Sequence, residues 1–353
     1  MVRSSRSQSA LALAALVLAG ATACGGGGGG WTAPHKGQAA VLLPAGDDAK
    51  ATKDGNAAWL GFNGIVQGLT VGSDGDVYTL GAGLVRVGDD RKAHVVLSSE
   101  VSQTQGLLAR PHGEFVVGTR TTVDLMAVGG TMTVLAGSAG TPRVVGAPVP
   151  ASADAKTFHF AGDGPTPFGA RPDGSLLIAD TDVVWALKDG RLSRVHQLTG
   201  KQREDGQTVL AQGTVDHAGT AYVAIGGTYL KRVSDITAIR SDGAVSKLAL
   251  PADAAGVAQS LATLNVLWLT GDGADGVYAR AQGDTGDYVL HLRSGSAELV
   301  ARYPSTKPTS TCDLPHPVDA RKLTCALPDA LAYDAGSLVL GGKAGYVLKI
   351  AVR

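Results

Sequence analysis

Aromatic residues form 5 % of this 353-residue chain, cysteine and methionine occur three times each, and 31 basic residues are balanced by 31 acidic ones. Few aromatics means few platforms on which bases or sugars can stack, and the balanced charge supplies no basic field to gather nucleic acid. No heptad pattern or long amphipathic helix runs through the sequence, which excludes a coiled coil or helical bundle. The long apolar run at residues 10–20 is too short to cross a bilayer. No GxSxG or HExxH motif is present and the eight histidines are scattered singly, so nucleophilic or zinc-dependent catalysis has no motif behind it. Glycine, at 49 residues, is what the chain has in plenty. It suits a protein of many short, closely approaching strands.

The most ordered stretch is 162–195, GDGPTPFGARPDGSLLIADTDVVWALKDGRLSRV. A short apolar strand, an Asp173-Gly174 turn, an alternating strand ending at Ala179-Asp180, a third strand to Leu187, an Asp189-Gly190 turn and a fourth strand make one antiparallel meander. Such a sheet cannot bury both faces alone, so copies must stack. The same skeleton recurs around Gly75, Gly113, Gly219, Gly276 and Gly336, and six copies predict an all-β fold, a six-bladed β-propeller of four-stranded antiparallel blades. The last copy supplies only three strands before the chain ends, and QAAVLL at 38–43 is expected to complete it, since an unpaired blade edge would expose a row of backbone donors and acceptors.

Thr166-Pro167-Phe168-Gly169, Pro172-Asp173-Gly174 and Ile178-Ala179-Asp180 resemble the NHL repeat, which runs from a Pro-x-Gly start through a Pro-Asp-Gly turn to an Ile-Ala-Asp strand end. Thr181-Asp182-Val183 stands where that repeat carries Asn-Arg-Val/Ile, and the other copies keep only the turn glycine and the hydrophobic rhythm. The resemblance implies a propeller that binds proteins, nucleic acids or surface ligands, with lyases and hydrolases as a minority. Six-bladed lactonases and related hydrolases hold a cation at the axis through Glu, Asn and Asp. The matching positions here are mostly Gln, Thr and Gly, with Asp329 the one carboxylate, so no metal and no cofactor is expected.

Residues 1–23 read as a secretory signal, with Arg3 and Arg6 before the apolar run and Ala21-Thr22-Ala23 before Cys24. The small residues ahead of Cys24 resemble the lipobox of bacterial envelope lipoproteins of the actinobacterial type, although Ala21 replaces the usual Leu; the alternative is a soluble secreted protein cleaved near Ala23. Residues 24–37, a lipidated Cys24 and a glycine-rich stretch, then form a tether, and 38–353 form the propeller. Without the signal, 29 basic residues face 31 acidic ones, a net charge of about −2. Cys312 and Cys325 remain as an even pair in an exported chain, which predicts one disulfide, a metal site including His316 being the alternative.

The turn glycines are spaced by 38, 61, 45, 57 and 60 residues, so the longer intervals carry insertions. Those at 137–165, 199–210, 251–263 and 304–328 join an outermost strand to the next innermost one, and 226–236 joins second and third strands. In an up-and-down meander all of these emerge on one face, while the other face keeps short turns such as Asp189-Gly190. Elaborated loops on a rigid scaffold carry function, so the working surface is placed on that face. Around the channel mouth, Gln67, Gln105 and Gln212 begin three innermost strands and could hydrogen-bond a ligand or simply satisfy neighbouring backbone. His159, between Phe158 and Phe160, and Asp163 complete the mouth with Asp329. Tyr229, Lys231, Arg232, Asp313 and His316 are the expected partner-binding loop residues. The function expected is that of a monomeric, membrane-anchored extracytoplasmic binding or scaffold propeller for a protein or envelope ligand, not nucleic acid. No catalytic residue is assigned. The competing expectation is a channel-mouth enzyme of the lactonase or lyase type.

Overall fold

A computed structural model describes residues 31–44, 50–51, 55–56 and 68–353, apart from 82, 89, 98–104, 128, 199, 201–205, 210–211, 228–230, 308, 310 and 343–344. Gln67, Tyr229 and Cys24 lie outside the described residues. Among those described there is no α-helix, only strands and four single 3-10 turns. The strands form six antiparallel blades. From inside outward, blade one is Gly68–Val71, Val77–Leu80, Leu84–Val87 and Ala93–Leu97, and blade two is Gln105–Ala109, Phe115–Gly118, Thr122–Met126 and Met132–Gly137. Blade three is Thr166–Ala170, Leu176–Asp180, Val183–Lys188 and Arg191–Gln197, and blade four is Thr214–Val215, Ala221–Gly227, Ile236–Ile239 and Val245–Lys247. Blade five is Asn265–Gly271, Val277–Gly283, Gly286–Arg293 and Ser296–Tyr303. In blade six, Ala330–Asp334, Ser337–Gly341 and Val347–Ala351 are followed by the N-terminal strand Gln38–Leu43, which pairs antiparallel to Val347–Ala351. Each innermost strand touches the innermost strands of the blades on either side, so the six close a ring.

The sequence alternates because each blade is covered on both faces by its neighbours. Tyr78, Leu80, Leu107 and Phe115 fill the space between blades one and two, Val116, Ile178 and Trp185 that between two and three, and Leu177, Val184, Val223 and Ile239 that between three and four. Tyr222, Leu269 and Leu290 lie between four and five, and Tyr278, Val289, Leu331 and Tyr346 between five and six. The core is thus a set of interfaces arranged around an axis, and a loss at one interface loosens the ring rather than emptying a single centre.

The insertions are put to a use that their sequence does not advertise. Ser152–Asp154 adds a fifth strand to the outer edge of blade three, beside Arg191–Gln197. Val318–Asp319 does the same for blade six, beside Gln38 and Ala39. Gln207–Val209 pairs with the far end of Ala221–Gly227. Part of the inserted chain therefore covers sheet edges, which removes exposed backbone donors and acceptors, and only the remainder is free to form a surface.

Candidate functional site

The axis of the ring is a cavity of about 220 Å³ to which every innermost strand contributes. Strands meet the axis edge-on, so backbone and alternate side chains make its wall. Leu108 and Val215 provide partly exposed aliphatic surface, Trp268 provides a ring, and Thr70, Thr166, Gln212, Thr214 and Thr270 provide neutral polar groups, whereas Leu69, Leu107 and Leu331 are buried behind the wall and the Tyr333 ring is stacked on Tyr278. Among the described residues no Asp, Glu, Lys, Arg, His or Cys is part of that wall.

The Gln-Gly pairs show a division of labour. Gln105 donates from Nε2 to the Asp163 carbonyl at 2.8 Å and accepts from Thr166 Oγ1 at 2.9 Å, so its amide ties blade two to the chain entering blade three. Gln212 lines the cavity, and its carbonyl accepts from Leu269 N–H at 3.2 Å. The glycine matters as much as the amide. A Cβ on Gly106 would lie 2.5 Å from the Pro167 carbonyl oxygen, and its φ of 69° is one that side chains rarely adopt. Close approach of neighbouring inner strands requires a residue without a side chain there.

His159 is exposed, with its ring against Gly140, and its flanking phenylalanines anchor the segment: Phe158 packs edge-on against Trp185 with centroids 4.8 Å apart. Asp163 is also exposed, and no hydrogen bond joins it to His159. Asp329 stands near the guanidinium of Arg280, a side chain 1 % exposed that donates to the carbonyls of Leu327, Pro328 and Ala281 and pairs with Asp287 at 3.0 Å. This buried cation fastens blade five to the chain entering blade six.

Of the loop residues, Lys231 does not face solvent. It is 8 % exposed, its Nζ donates to Thr208 Oγ1 at 2.9 Å and the Gly227 carbonyl at 3.1 Å, and burial pushes its pKa down. A cation expected at a loop tip is an internal tie. Arg232 is likewise committed, donating from Nη1 to the Thr263 carbonyl and to Asn265 Oδ1, each at 2.7 Å. Asp313 and His316 are exposed on the segment closed by the Cys312–Cys325 disulfide.

Sequence reasoning missed Arg143. Its Nε donates to Asp180 Oδ2 at 2.7 Å, and its Nη2 donates to Asp182 Oδ1 and the Asp180 carbonyl, both at 2.6 Å. Asp180 also accepts from Ala161 N–H at 2.8 Å, and Asp182 from Gly146 N–H at 2.9 Å. Burial pushes the Asp180 carboxyl up, and Arg143 pulls against that shift. The longest insertion is therefore bolted to the Ile-Ala-Asp strand end of blade three. The only sequence hint was an unexplained pair of acids at a strand end.

The Asp272 loop, which superficially resembles a calcium loop, is saturated from within. The carboxylate, fully buried, accepts from Ala274 N–H at 2.7 Å, Gly276 N–H at 3.1 Å, His291 Nε2 at 2.8 Å and Arg293 Nη2 at 2.8 Å. Burial alone would raise its pKa, but these donors hold it well below the usual carboxylate range. A depressed pKa contributes stability that is complete above the unfolded value near about 4 and is lost as pH falls towards the folded one. Asp272→Asn should accordingly lower the melting temperature at pH 7 by about 5 °C, with the gap to wild type narrowing below about pH 4; thermal melts from pH 2 to pH 7 measure this, and a gap independent of pH would refute the assignment.

Among the described residues no three His, Cys, Asp or Glu side chains cluster as a metal site would require. The cation that axial sites of lactonases hold does not fit this wall, because hydroxyls and an amide without carboxylates bind divalent ions weakly.

These features define a six-bladed β-propeller with a neutral axial channel and tied-down connecting loops. No protein-family model and no curated protein matches the chain. Solved structures do. A protein of unknown function from Bacteroides thetaiotaomicron, 13 % identical, aligns over 89 % of this chain and 75 % of its own with a TM-score of 0.58. A gluconolactonase from Xanthomonas campestris, 15 % identical, aligns over 88 % and 96 % with a TM-score of 0.52. At such identities the likeness is one of fold.

Proposed function

We propose that this chain is a binding propeller, tethered through a lipidated Cys24 on the outer side of a bacterial membrane, that presents its loop-bearing face to a protein or envelope ligand. The observation that carries this reading is the fixing of loops on that face by strong local constraints. Arg143 is clamped between two buried carboxylates, Arg232 is bound to Thr263 and Asn265, and a disulfide closes the segment bearing Asp313 and His316. Loops ordered in advance lose less entropy on binding. The fold alone is also compatible with a lactonase- or lyase-type enzyme, but among the described residues the channel wall offers no acid, base or nucleophile beyond threonine hydroxyls and the Tyr333 phenol, which makes hydrolysis the weaker reading.

One experiment on intact cells tests both parts. A photo-crosslinking amino acid at His316 should give a discrete adduct, whereas the same group at Asp189, on the short-turn face, should give none. In the Cys24→Ser background the protein should move from the membrane fraction to the medium. Retention in the membrane would refute the anchor, and equal adducts from both positions would refute the choice of face.

A further inference from the structure

The axial cavity carries unsatisfied chemistry that the loop face does not use. Thr166 is committed to Gln105, and Thr214 Oγ1 accepts from Gly271 N–H at 2.8 Å. The Thr70 and Thr270 hydroxyls, the Gln212 amide and the Trp268 indole N–H have no such side-chain partner among the described residues. Between them lie the partly exposed aliphatic side chains of Leu108 and Val215. A charged ligand entering this wall would lose hydration and meet no counter-charge. An uncharged molecule would bury its apolar part against the Trp268 ring and these aliphatic side chains and offer hydroxyl or carbonyl groups to the free donors and acceptors. The volume of about 220 Å³ falls below the roughly 300–1,000 Å³ of sites for drug-sized ligands.

We propose that the channel binds a small uncharged molecule, one ring or a short chain, carrying hydroxyl or carbonyl groups. The inference rests on reading the chain as a binding module, and it assigns the channel a ligand class distinct from the partner of the loop face.

The test uses purified full-length protein at pH 7.5 and two matched pairs of probes: methyl 4-hydroxybenzoate against 4-hydroxybenzoate, and benzyl alcohol against benzylamine. Titration calorimetry should show saturable binding of the uncharged member of each pair and at least about 30-fold weaker binding of the charged one. Binding should change the protein's fluorescence, and Trp268→Phe should remove that change. Thr270→Val and Gln212→Leu, which alter only one polar group each, should weaken binding about 10-fold while leaving the melting temperature within about 2 °C. Saturable binding of none of the probes, charged members binding as tightly as uncharged ones, or wild-type affinity in both variants would each overturn the proposal. Because the loop-face partner is read separately by crosslinking from His316, selective probe binding without that adduct would uphold the channel site and reject the loop-face reading alone.

Discussion

A chain lacking residues 38–43 should melt at least about 15 °C below the full-length protein, or fail to fold. Ala39, Ala40, Val41, Leu42 and Leu43 are all 8 % exposed or less, and the last three alone contribute about 1.5–3 kcal/mol each by burial. Their removal would also strip the hydrogen-bonded partner from Val347–Ala351 on one side and from Val318–Asp319 on the other. Blade six would then present a naked edge to solvent and the ring would open where the chain ends meet. Differential scanning calorimetry of the deletion is the check, with Gln38→Ala as a control expected to shift the melt by less than about 2 °C. An unchanged melt in the deletion would show that the ring closes without this strand.

Arg143→Met should be nearly as damaging, although it touches no blade core. Asp180 is 0 % and Asp182 1 % exposed, and breaking a buried ion pair by removing one partner costs about 3–5 kcal/mol. A fall in melting temperature of about 10 °C is expected. The pH dependence identifies the cause. Without the guanidinium the Asp180 carboxyl rises further, and a carboxyl whose folded pKa is raised costs stability at pH values above it, so the deficit should be larger at pH 8 than at pH 5. Combining Arg143→Met with Asp180→Asn and Asp182→Asn should restore most of the loss. A deficit independent of pH and not rescued by the double amide would mean that Arg143 acts by packing.

The repeat was legible because its punctuation is stereochemical. Gly75, Gly113, Gly174, Gly219 and Gly336 all have positive φ, between 75° and 95°, a region that selects glycine from the sequence itself. Gly276 is a different case: Gly273 takes the positive φ of that turn, at 73°, and Gly276 is small because a Cβ would lie 2.7 Å from Arg293 Cγ. The same letter at the same place in the repeat answers a different constraint. The disulfide was legible from the parity of the cysteines left once the sequence is read as that of an exported chain. The site was not legible to the same degree. Lys231 and Arg232 look like a solvent-facing cationic pair, and only the fold reveals that one is buried and the other spent on neighbouring backbone. Ser152–Asp154 has no alternating apolar pattern, since an edge strand that is mostly exposed needs none. Arg143 meets its partners across 37 and 39 residues, a separation that no local pattern encodes.

Thr181 shows the same limit from the other side. Where the NHL-like repeat carries Asn, which tolerates a left-handed backbone, this chain has a β-branched residue at φ 55°. Nothing in the residue's own chemistry asks for that conformation. Its neighbour Asp182 is held by Arg143 and by Gly146 N–H, and its own carbonyl accepts from Val209 N–H at 2.8 Å, so the surroundings impose the turn.

The most direct test of a preorganised loop face compares two variants for the yield of the His316 crosslinked adduct. Cys312→Ala combined with Cys325→Ala frees the segment that bears Asp313 and His316, while Asp189→Asn alters the charge of a short turn on the opposite face. The double cysteine variant should keep its β-sheet circular dichroism, melt only modestly lower, and lose most of the adduct; Asp189→Asn should give the wild-type yield. Full adduct from the disulfide-free protein, or equal loss in both variants, would contradict a binding surface fixed in advance on the loop-bearing face.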